Sequence, residues 1–242
     1  MGNVLNTSSP FQGKVIAITG ASGTLGRALI RELSDRGARV IGLTTSAEAT
    51  FDRPIEVLQW HLGQEAELGS HLETVDILIL NHGINVYSDR SPAAIQKSLE
   101  VNTLSVWRWL ELFLKTVSPA QQGAMKEVWV NTSEAEVGPA LSPLYEWSKR
   151  AIGDLITLRR LDAPCTIRKL ILGPFKSQLN PYGVMSASWV AWAVVSLAQR
   201  GVRDIIITVN PLTYLFFPLK EAGRSRYFRL FSRPSLPEHN HG

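Results

Sequence analysis

The stretch from Lys14 to Leu33, KVIAITGASGTLGRALIREL, predicts the fold of the chain around it. Its first six residues, Lys14–Thr19, are mostly apolar and β-branched, which is typical of a buried strand. Three glycines follow, and from Leu25 to Arg36 the apolar residues recur at helical spacing. A strand that runs through a glycine-rich turn into a helix predicts the start of a β-α-β unit.

The rest of the chain repeats this alternation of strand and helix. Short strand-like runs are found at Arg39–Leu43, Glu56–Trp60, Val75–Leu80, Glu127–Thr132, Thr166–Leu172 and Asp204–Val209. Helical patterns cover Pro92–Val117, Pro143–Leu161 and Ser186–Arg200. Because several of the strand-like runs are apolar throughout, they indicate a parallel sheet that is covered on both faces.

We therefore predict an α/β fold, a single doubly wound Rossmann domain over residues 1–242. Its sheet should have about seven strands, mostly parallel, with helices on both faces. Residues 1–12 are expected to form a flexible N-terminal tail, and residues 210–242 an aromatic and basic C-terminal extension.

Composition excludes several classes of protein. The hydrophobic fraction of 45% and the charged fraction of 19% are those of a folded globular chain. Cys165 is the only cysteine, so no internal disulfide can form. The first residues lack the apolar core of a signal peptide, and no apolar run reaches the roughly 18 residues of a membrane span. We expect a cytoplasmic protein.

Charge is concentrated near the C-terminus. The chain has a net charge of +4, and five basic residues against Glu221 between Lys220 and Arg233 account for all of it. The remainder is formally neutral, so no basic surface for nucleic acid is predicted. The five histidines show no ligand spacing, and no metal site is predicted. These are His61, His71, His82, His239 and His241.

The glycine turn has the pattern G-x-x-G-x-x-G at Gly20, Gly23 and Gly26. Without Cβ atoms, its backbone N–H groups could approach a pyrophosphate at the positive end of the following helix. A tight turn without a ligand is the other interpretation. Its place directly after the first strand favours a dinucleotide site.

The end of the second strand indicates which dinucleotide fits. An acidic residue there would bind the free adenosine ribose, whereas this chain has the hydroxyls of Thr44, Thr45 and Ser46. Ser22 could add a further contact to a 2′-phosphate, and Arg27 or Arg39 could supply charge. We therefore expect NADP(H) to be favoured over NAD(H).

A tyrosine and a lysine stand four residues apart at Tyr145 and Lys149, on one face of a predicted helix. Reduction of a ketone needs a hydride on carbon and a proton on oxygen. A free tyrosine has a pKa near 10, too high for efficient proton transfer at neutral pH. A neighbouring ammonium favours the phenolate, so Lys149 is expected to lower that pKa. Ser133 could hydrogen-bond the substrate oxygen as charge develops on it.

Taken in order, TGASGTLG at 19–26, NHG at 81–83, Asn102, Ser133 and Tyr145-x-x-x-Lys149 resemble the short-chain dehydrogenase/reductase family. The resemblance extends from Lys14 to about Val209. It implies that Tyr145 is the general acid and base, assisted by Ser133 and Lys149. Asn102 would support a water chain that leads to the lysine. The catalytic set that the resemblance implies is Asn102, Ser133, Tyr145 and Lys149.

The resemblance also implies a set of cofactor contacts. Asn81 and Gly83 would line the adenine-ribose side, and Ser177, after the Gly173 turn, would contact the nicotinamide carboxamide. Lys149 would hold the hydroxyls of the nicotinamide ribose. The full predicted set is Gly20, Ser22, Gly23, Thr24, Leu25, Gly26, Thr44, Thr45, Ser46, Asn81, Gly83, Tyr145, Lys149, Gly173 and Ser177.

The predicted activity is an NAD(P)(H)-dependent interconversion of a ketone and a secondary alcohol on a small, hydrophobic substrate. Apolar residues after Gly173, such as Tyr182 and Met185, favour an apolar pocket. Two alternatives stay open: a non-catalytic protein that senses redox state or forms a membrane-associated scaffold, and a nucleotide-sugar epimerase. Such epimerases commonly have a longer C-terminal domain, and the short chain after Leu172 argues against one.

Two kinds of assembly are expected. The resemblance implies a homodimer or homotetramer formed through the helices at Pro92–Val117 and Pro143–Leu161. The extension at 210–242 combines aromatic residues with arginines, which suits peripheral contact with anionic lipid. Docking of the extension on its own domain, or on a second subunit, is the alternative.

Overall fold

The computed structural model describes residues 9–118 and 126–233. The seven strands are β1 (Val15–Thr19), β2 (Arg39–Thr44), β3 (Glu56–Gln59), β4 (Ile77–Leu80), β5 (Glu127–Asn131), β6 (Thr166–Leu172) and β7 (Asp204–Ile207). The six α-helices are α1 (Thr24–Asp35), α2 (Pro92–Leu99), α3 (Ser105–Lys115), α4 (Pro143–Arg159), α5 (Ala187–Gln199) and α6 (Pro211–Phe231).

Three predictions fall partly outside the described residues. The expected N-terminal tail at 1–12 is described only from residue 9, and the C-terminal extension only as far as residue 233. His239 and His241 also lie outside the described part of the chain.

The strands form one sheet in the order β3-β2-β1-β4-β5-β6-β7, and every neighbouring pair is parallel. The chain runs outward from β1 to β3, returns to β4 beside β1, and then runs outward in the other direction. The predicted doubly wound Rossmann fold is confirmed. In such a sheet, ligands bind at the carboxyl ends of the strands where the winding reverses, which here is the crevice between β1 and β4.

The two faces of the sheet bury separate hydrophobic cores. Helices α1 and α5 pack on one face, which receives Ile16 and Ile18 of β1. Helices α3 and α4 pack on the other face, which receives Ala17. Because side chains alternate along a strand, a run that is apolar at every position supplies both cores, as the sequence predicted.

The long predicted helix at 92–117 is divided in the structure. A π-helical turn at Glu100–Leu104 separates α2 from α3 and carries the fully buried Asn102. Such turns are frequent at functional sites because they redirect one side chain without ending the helix. A 3₁₀ segment at Glu65–Thr74 was not predicted, and its weak apolar periodicity explains why.

The C-terminal extension forms a helix, α6, that the sequence pattern did not predict. Leu215, Phe216 and Phe217 follow one another, so there is no clear apolar stripe, and Pro218 lies inside the helix. Phe217 is nevertheless fully buried against the domain, and the Asn210 side chain caps the first turn by accepting a bond from the Leu212 amide at 3.1 Å. Over the described residues, no helix is both long and apolar enough to span a bilayer.

One glycine in α4 is required by a neighbouring carboxylate. A Cβ atom added to Gly153 would lie 2.3 Å from Glu136 Oε2, far inside the normal contact distance. Gly223 in α6 has no atom within 4 Å of the corresponding position. Both glycines thus lie in α-helices, but only Gly223 has space for a Cβ atom.

We expect Gly153→Ala to lower the free energy of unfolding by about 1–3 kcal/mol, because the added methyl group overpacks the site. Gly223→Ala should raise it by up to about 1 kcal/mol through helix propensity. Urea unfolding followed by circular dichroism measures both. Equal effects of the two substitutions would show that Glu136 moves aside without cost.

Candidate active site

The strand ends bring the predicted site residues to one edge of the sheet. The glycine turn follows β1, Asn81 and Gly83 follow β4, Ser133 follows β5, and Gly173 follows β6. Since all strands are parallel, these segments meet at the same edge, which α4 borders with Tyr145 and Lys149.

The glycine turn is tightly packed. Gly20 has a φ of 64°, and a Cβ atom there would lie 2.9 Å from the Cα of His82 in the neighbouring turn. A Cβ atom on Gly26 would lie 2.3 Å from the carbonyl oxygen of Gly20. Both positions therefore need glycine, one for its backbone conformation and one for close packing of helix on strand.

The start of α1 is suited to an anion. Its N-cap is Gly23, and among the described residues no side chain caps the first turn there. No acidic residue lies in that turn either. The first amides of the helix and the positive end of its dipole are thus available to a phosphate, as a dinucleotide requires. Leu25 is buried in the core, so only its backbone could take part.

The second strand ends in hydroxyl groups, as predicted, but they face different ways. Thr44 is buried and its hydroxyl donates to Ser22 Oγ at 3.0 Å, which ties the glycine turn to β2. Thr45 and Ser46 are exposed. The Arg27 guanidinium donates to the Ser22 carbonyl at 2.9 Å, at the edge of this hydroxyl cluster.

Arg39 does not belong to this cluster, so the expectation that it could supply charge there is wrong. It is the first residue of β2, at the opposite edge of the sheet, and it pairs with Glu56 at 2.9 Å. Arg39 lies on the predicted strand, but at its first residue, whereas the site is at the carboxyl end of the strand.

Asn102 links the turn after β4 to α4. Its Oδ1 accepts from the Ile84 amide at 2.8 Å, and its Nδ2 donates to the Ile84 carbonyl at 3.0 Å and to Ser148 Oγ at 3.0 Å. A Cβ atom on Gly83 would lie 3.1 Å from Asn102 Oδ1 and 3.7 Å from Lys149 Nζ. Asn102 thus fixes the turn beside the lysine, while its role in a water chain stays a prediction.

Ser133, Tyr145 and Lys149 come together at the end of β5. The Ser133 side chain is almost fully buried, and its interaction with the Tyr145 phenol lowers the pKa of that group. Lys149 is 2% exposed, and its Nζ donates to the Asn131 carbonyl at 2.8 Å and lies 5.8 Å from the Tyr145 ring centre. A hydroxyl, a phenol and an ammonium therefore share one site, the arrangement that proton transfer to an oxygen needs.

The electrostatics of the pair differ from the expectation. Burial raises the pKa of Tyr145, and the hydrogen bond with Ser133 opposes that shift only in part. Burial also lowers the pKa of Lys149 to about 8. The net pKa of Tyr145 is thus raised rather than lowered, because desolvation of the phenol dominates, and a stabilisation of the phenolate by Lys149 during the reaction stays a prediction.

His82, in the turn after β4, is not a competing acid or base. Burial and the nearby Lys149 lower its pKa to about 3, so it is neutral at physiological pH. Its Nδ1 lies 2.8 Å from Thr19 Oγ1, and its ring packs edge-on against Trp60. The histidine therefore contributes packing beside the glycine turn.

The remaining predicted residues lie at the same edge of the sheet, and their side chains or backbone positions make different contacts there. The Asn81 carbonyl oxygen of the side chain accepts from Asn131 Nδ2 at 3.3 Å. Gly173 is buried against Thr208 and Glu134, where a Cβ atom would not fit. Ser177 Oγ accepts from the Asn180 amide at 3.1 Å, so this hydroxyl caps a turn in the segment that follows Gly173.

Sequence reasoning missed two carboxylates, Glu134 and Glu136. They directly follow Ser133, in the motif SEAE, and both contact the extension that forms α6. Acidic residues immediately after a strand end were the available signal. Their partners in α6, Thr213 and Lys220, lie 79 and 84 positions further along the chain, and no local pattern identifies contacts at that separation.

A prediction follows from the buried Lys149. Its pKa is depressed on folding, so the unfolded chain binds more protons between about pH 8 and pH 10.5. The free energy of unfolding contributed by this lysine should therefore rise with pH across that window, by up to about 3 kcal/mol. Lys149→Met should lose this rise.

Urea unfolding at pH 7.5 and at pH 10 measures the effect, with the exposed Lys115→Met as the control. From pH 7.5 to pH 10, the free energy of unfolding of wild type should rise relative to that of Lys149→Met. The free energies of wild type and of Lys115→Met should keep a constant difference. A constant difference for Lys149→Met would contradict the depressed pKa.

Comparison with known proteins places these features in context. The chain matches the family described as short chain dehydrogenase over residues 14–178. A monoglucosyldiacylglycerol epimerase of Synechocystis sp. is 53% identical over 96% of this chain. The 3-oxoacyl-[acyl-carrier-protein] reductase FabG of Escherichia coli is 32% identical over 47% of it. The chain spans 58% and 53% of the lengths of these two relatives.

The fold is shared with solved structures at lower identity. A short chain dehydrogenase from Burkholderia cenocepacia, determined in complex with NADP, superposes with a TM-score of 0.74 at 19% identity. That match covers 93% of this chain and 99% of the other.

Proposed function

The chain belongs to the short-chain dehydrogenase family, and on that premise we propose that it transfers hydride to and from a secondary alcohol with a nicotinamide dinucleotide. The observation that carries the proposal is the meeting of Ser133, Tyr145 and Lys149 at the end of β5. The three side chains come from two separate elements, and a purely structural role would not need a buried ammonium beside a phenol.

The residues at the carboxyl edge fit a dinucleotide. The crevice between β1 and β4 has a glycine turn that excludes any Cβ atom at Gly20 and Gly26, and the start of α1 is uncapped within the described residues. Gly83 lies beside Lys149, and on this proposal the two would border the nicotinamide end of the dinucleotide. When bound, the dinucleotide supplies the hydride acceptor or donor and, in its oxidised form, a positive charge.

The 2′-phosphate of NADP(H) is favoured by the groups at the end of β2. Ser22, Thr45 and Ser46 offer hydroxyls or amides there, and Arg27 lies beside them with its Nε fixed on the Ser22 carbonyl. No acidic side chain follows β2 until Glu48. A 2′-phosphate would therefore meet donors and a cation rather than a carboxylate.

The proposed substrate is the sugar headgroup of a glycosyl diacylglycerol, at which the enzyme inverts one hydroxyl-bearing carbon. The relative that is 53% identical over almost the whole chain is named as an epimerase of such a lipid. Inversion by hydride transfer needs a site in which the intermediate ketone can rotate and present its opposite face to the hydride. The segment after β6 is short, and Tyr182 and Val184 within it are 91% and 68% exposed, so these two side chains do not fill such a space.

The chain's own residues would act twice in this reaction. Tyr145 takes the proton of the sugar hydroxyl while the hydride leaves the carbon, which gives a ketone held by Ser133. The hydride then returns to the opposite face of the same carbon, and Tyr145 returns the proton to oxygen. Lys149 stabilises the phenolate in between. No electron or proton is gained or lost over the cycle.

The competing function is a reductase that converts an apolar ketone to an alcohol. FabG, which is named as a reductase, supports this class at lower identity and coverage. The two functions differ in one measurable respect: an epimerase regenerates its nucleotide, whereas a reductase consumes one NADPH for each turnover. The argument from the short chain after Leu172 is outweighed by a relative with higher identity whose name is that of an epimerase.

We expect the purified protein to convert monoglucosyldiacylglycerol in detergent micelles to its epimer with only trace NADP⁺. In ²H₂O the inverted carbon should carry no deuterium, because the hydride returns from the nucleotide. Half-saturation should be reached at a lower concentration of NADP⁺ than of NAD⁺. Chromatography and mass spectrometry of the lipid measure the product.

Tyr145→Phe is the matched variant for this assay. It should lower the rate by at least about a hundredfold, since general acid–base catalysis contributes roughly that much, and it should keep the affinity for NADPH measured by nicotinamide fluorescence. Unchanged turnover in Tyr145→Phe would refute the role of the phenol. Consumption of NADPH in proportion to product, with a ketone as substrate, would favour the reductase.

Peripheral contact with a lipid surface through α6 is part of the proposed function. Exposed apolar side chains occupy the side of this helix turned away from the domain, among them Leu215, Phe216 and Leu219. Arg226 and Arg229, further along the helix, are exposed as well. An apolar face followed by cations suits a bilayer that contains anionic lipids, and it would bring the site to a lipid substrate.

We expect substitution of Leu215, Phe216 and Leu219 by serine to lower the fraction that floats with phosphatidylglycerol vesicles by about tenfold or more, because three buried apolar side chains are lost from the bilayer. Leu62→Ser, at an exposed apolar position after β3, is the control. Equal flotation would contradict the proposal, and a loss of dimer in size-exclusion chromatography would assign the face to a second copy.

A further inference from the structure

Ser133 leaves β5 in an unusual backbone conformation. Its φ of 75° lies in the left-handed region, which is rare for a residue other than glycine. Such a conformation persists only when the surrounding structure holds it in place. Two carboxylates follow it in the chain, Glu134 and Glu136, and their contacts attach this turn to the rest of the domain.

Glu134 is bound by three donors that lie around the start of α6. Its Oε2 accepts from Thr208 Oγ1 at 2.6 Å, and its Oε1 accepts from Asn210 Nδ2 at 2.8 Å and from Thr213 Oγ1 at 2.7 Å. Asn210 is also the N-cap of α6, and Thr213 is 1% exposed. The residue next to Ser133 is therefore attached to the first turn of the C-terminal helix.

The same carboxylate lies against the turn that follows β6. A Cβ atom on Gly173 would be 2.6 Å from Glu134 Oε2 and 2.3 Å from Thr208 Oγ1. Glycine at this position therefore leaves room for the Glu134–Thr208 pair. Glu134 thus connects the residue after β5 to the turn after β6, as well as to α6.

Glu136 attaches the other end of the short turn after Ser133. Its Oε2 accepts from Lys220 Nζ at 2.7 Å, in the middle of α6, and from Lys169 Nζ at 3.2 Å, in β6. Lys169 is fully buried, and it also donates to Glu221 Oε2 at 2.8 Å. Separating Lys169 from its carboxylate partners would leave an uncompensated buried charge, so these ion pairs are costly to break.

We propose that Glu134 and Glu136 are positioning residues, which hold the Ser133 hydroxyl against Tyr145 by joining the turn after β5 to α6. On this proposal, the C-terminal helix contributes to the active site indirectly, through the contacts of Thr213 with Glu134 and of Lys220 with Glu136. The consequence for the reaction rate rests on the proposed function, whereas the placement of Ser133 does not.

A network that only stabilises the fold would behave differently, and the chain offers a matched control. Glu127, at the other end of β5, accepts two bonds from Arg168 and one from Trp129 Nε1. It has as many side-chain donors as Glu134, on the same strand, but at the edge of the sheet opposite Ser133.

The test compares Glu134→Gln with Glu127→Gln, and adds Thr213→Val as a milder variant that removes one donor to Glu134. Tyrosine labelled with ¹³C at Cζ is introduced into the full chain, and the Tyr145 signal is identified by its absence in Tyr145→Phe. Its titration reports the hydrogen bond with Ser133, because that bond lowers the pKa of the phenol while burial raises it.

We expect the Tyr145 titration midpoint to move to higher pH by about 0.5 to 1 unit in Glu134→Gln, the amount that a lost hydrogen bond gives. Thr213→Val should shift it in the same direction by less, and Glu127→Gln should leave it unchanged. With the glycolipid substrate, Glu134→Gln should lower kcat by about tenfold with nucleotide half-saturation unchanged within about twofold.

An unmoved midpoint in both Glu134→Gln and Thr213→Val, or the same shift in Glu127→Gln, would overturn the proposal. Should circular dichroism show Glu134→Gln to be unfolded, Thr213→Val decides between the two outcomes. If the wild-type protein turns over no alcohol or ketone, the proposed function fails, while the titration still reports whether these carboxylates place Ser133.

Discussion

In a parallel sheet all strands end at the same edge, and the candidate site depends on that constraint. It brings the turns after β1, β4, β5 and β6 together, although up to about 150 residues separate them along the chain. The winding reverses between β1 and β4, so the glycine turn and the Asn81–Gly83 turn face one crevice. The packing of Gly20 against His82 in this crevice is so close that a methyl group would not fit.

Burial of charge is the second theme of the structure. Lys149 is held out of water beside Tyr145, where its pKa falls, and Lys169 is buried between two carboxylates. The first arrangement opposes folding at neutral pH and is expected where a group must act on protons. The second is compensated by ion pairs. A chain of this size can accommodate both because its two hydrophobic cores are large.

The helix α6 unites the two proposals made for this protein. One side of it carries Thr213, Phe217 and Lys220, which contact the domain and the turn after Ser133. The other side is apolar and exposed, and we propose that it meets lipid. A helix with one side on the serine turn and the other on a membrane would place the reacting groups at a fixed distance from the lipid surface. That geometry suits a sugar headgroup that is still attached to its diacylglycerol.

The sequence by itself determined the alternation of strands and helices and the parallel sheet, through local periodicity and the glycines that open α1. The resemblance to short-chain dehydrogenases, together with the short spacing between Tyr145 and Lys149, predicted the residues that meet at the edge of the sheet. Tertiary structure alone decided the rest: the π turn at Asn102, the helix α6, the separation of Arg39 from the site, the elevated pKa of Tyr145 and the attachment of Glu134 to Thr213. These depend on desolvation, on strand direction and on contacts between residues far apart in the chain, and local sequence patterns carry no information about such quantities.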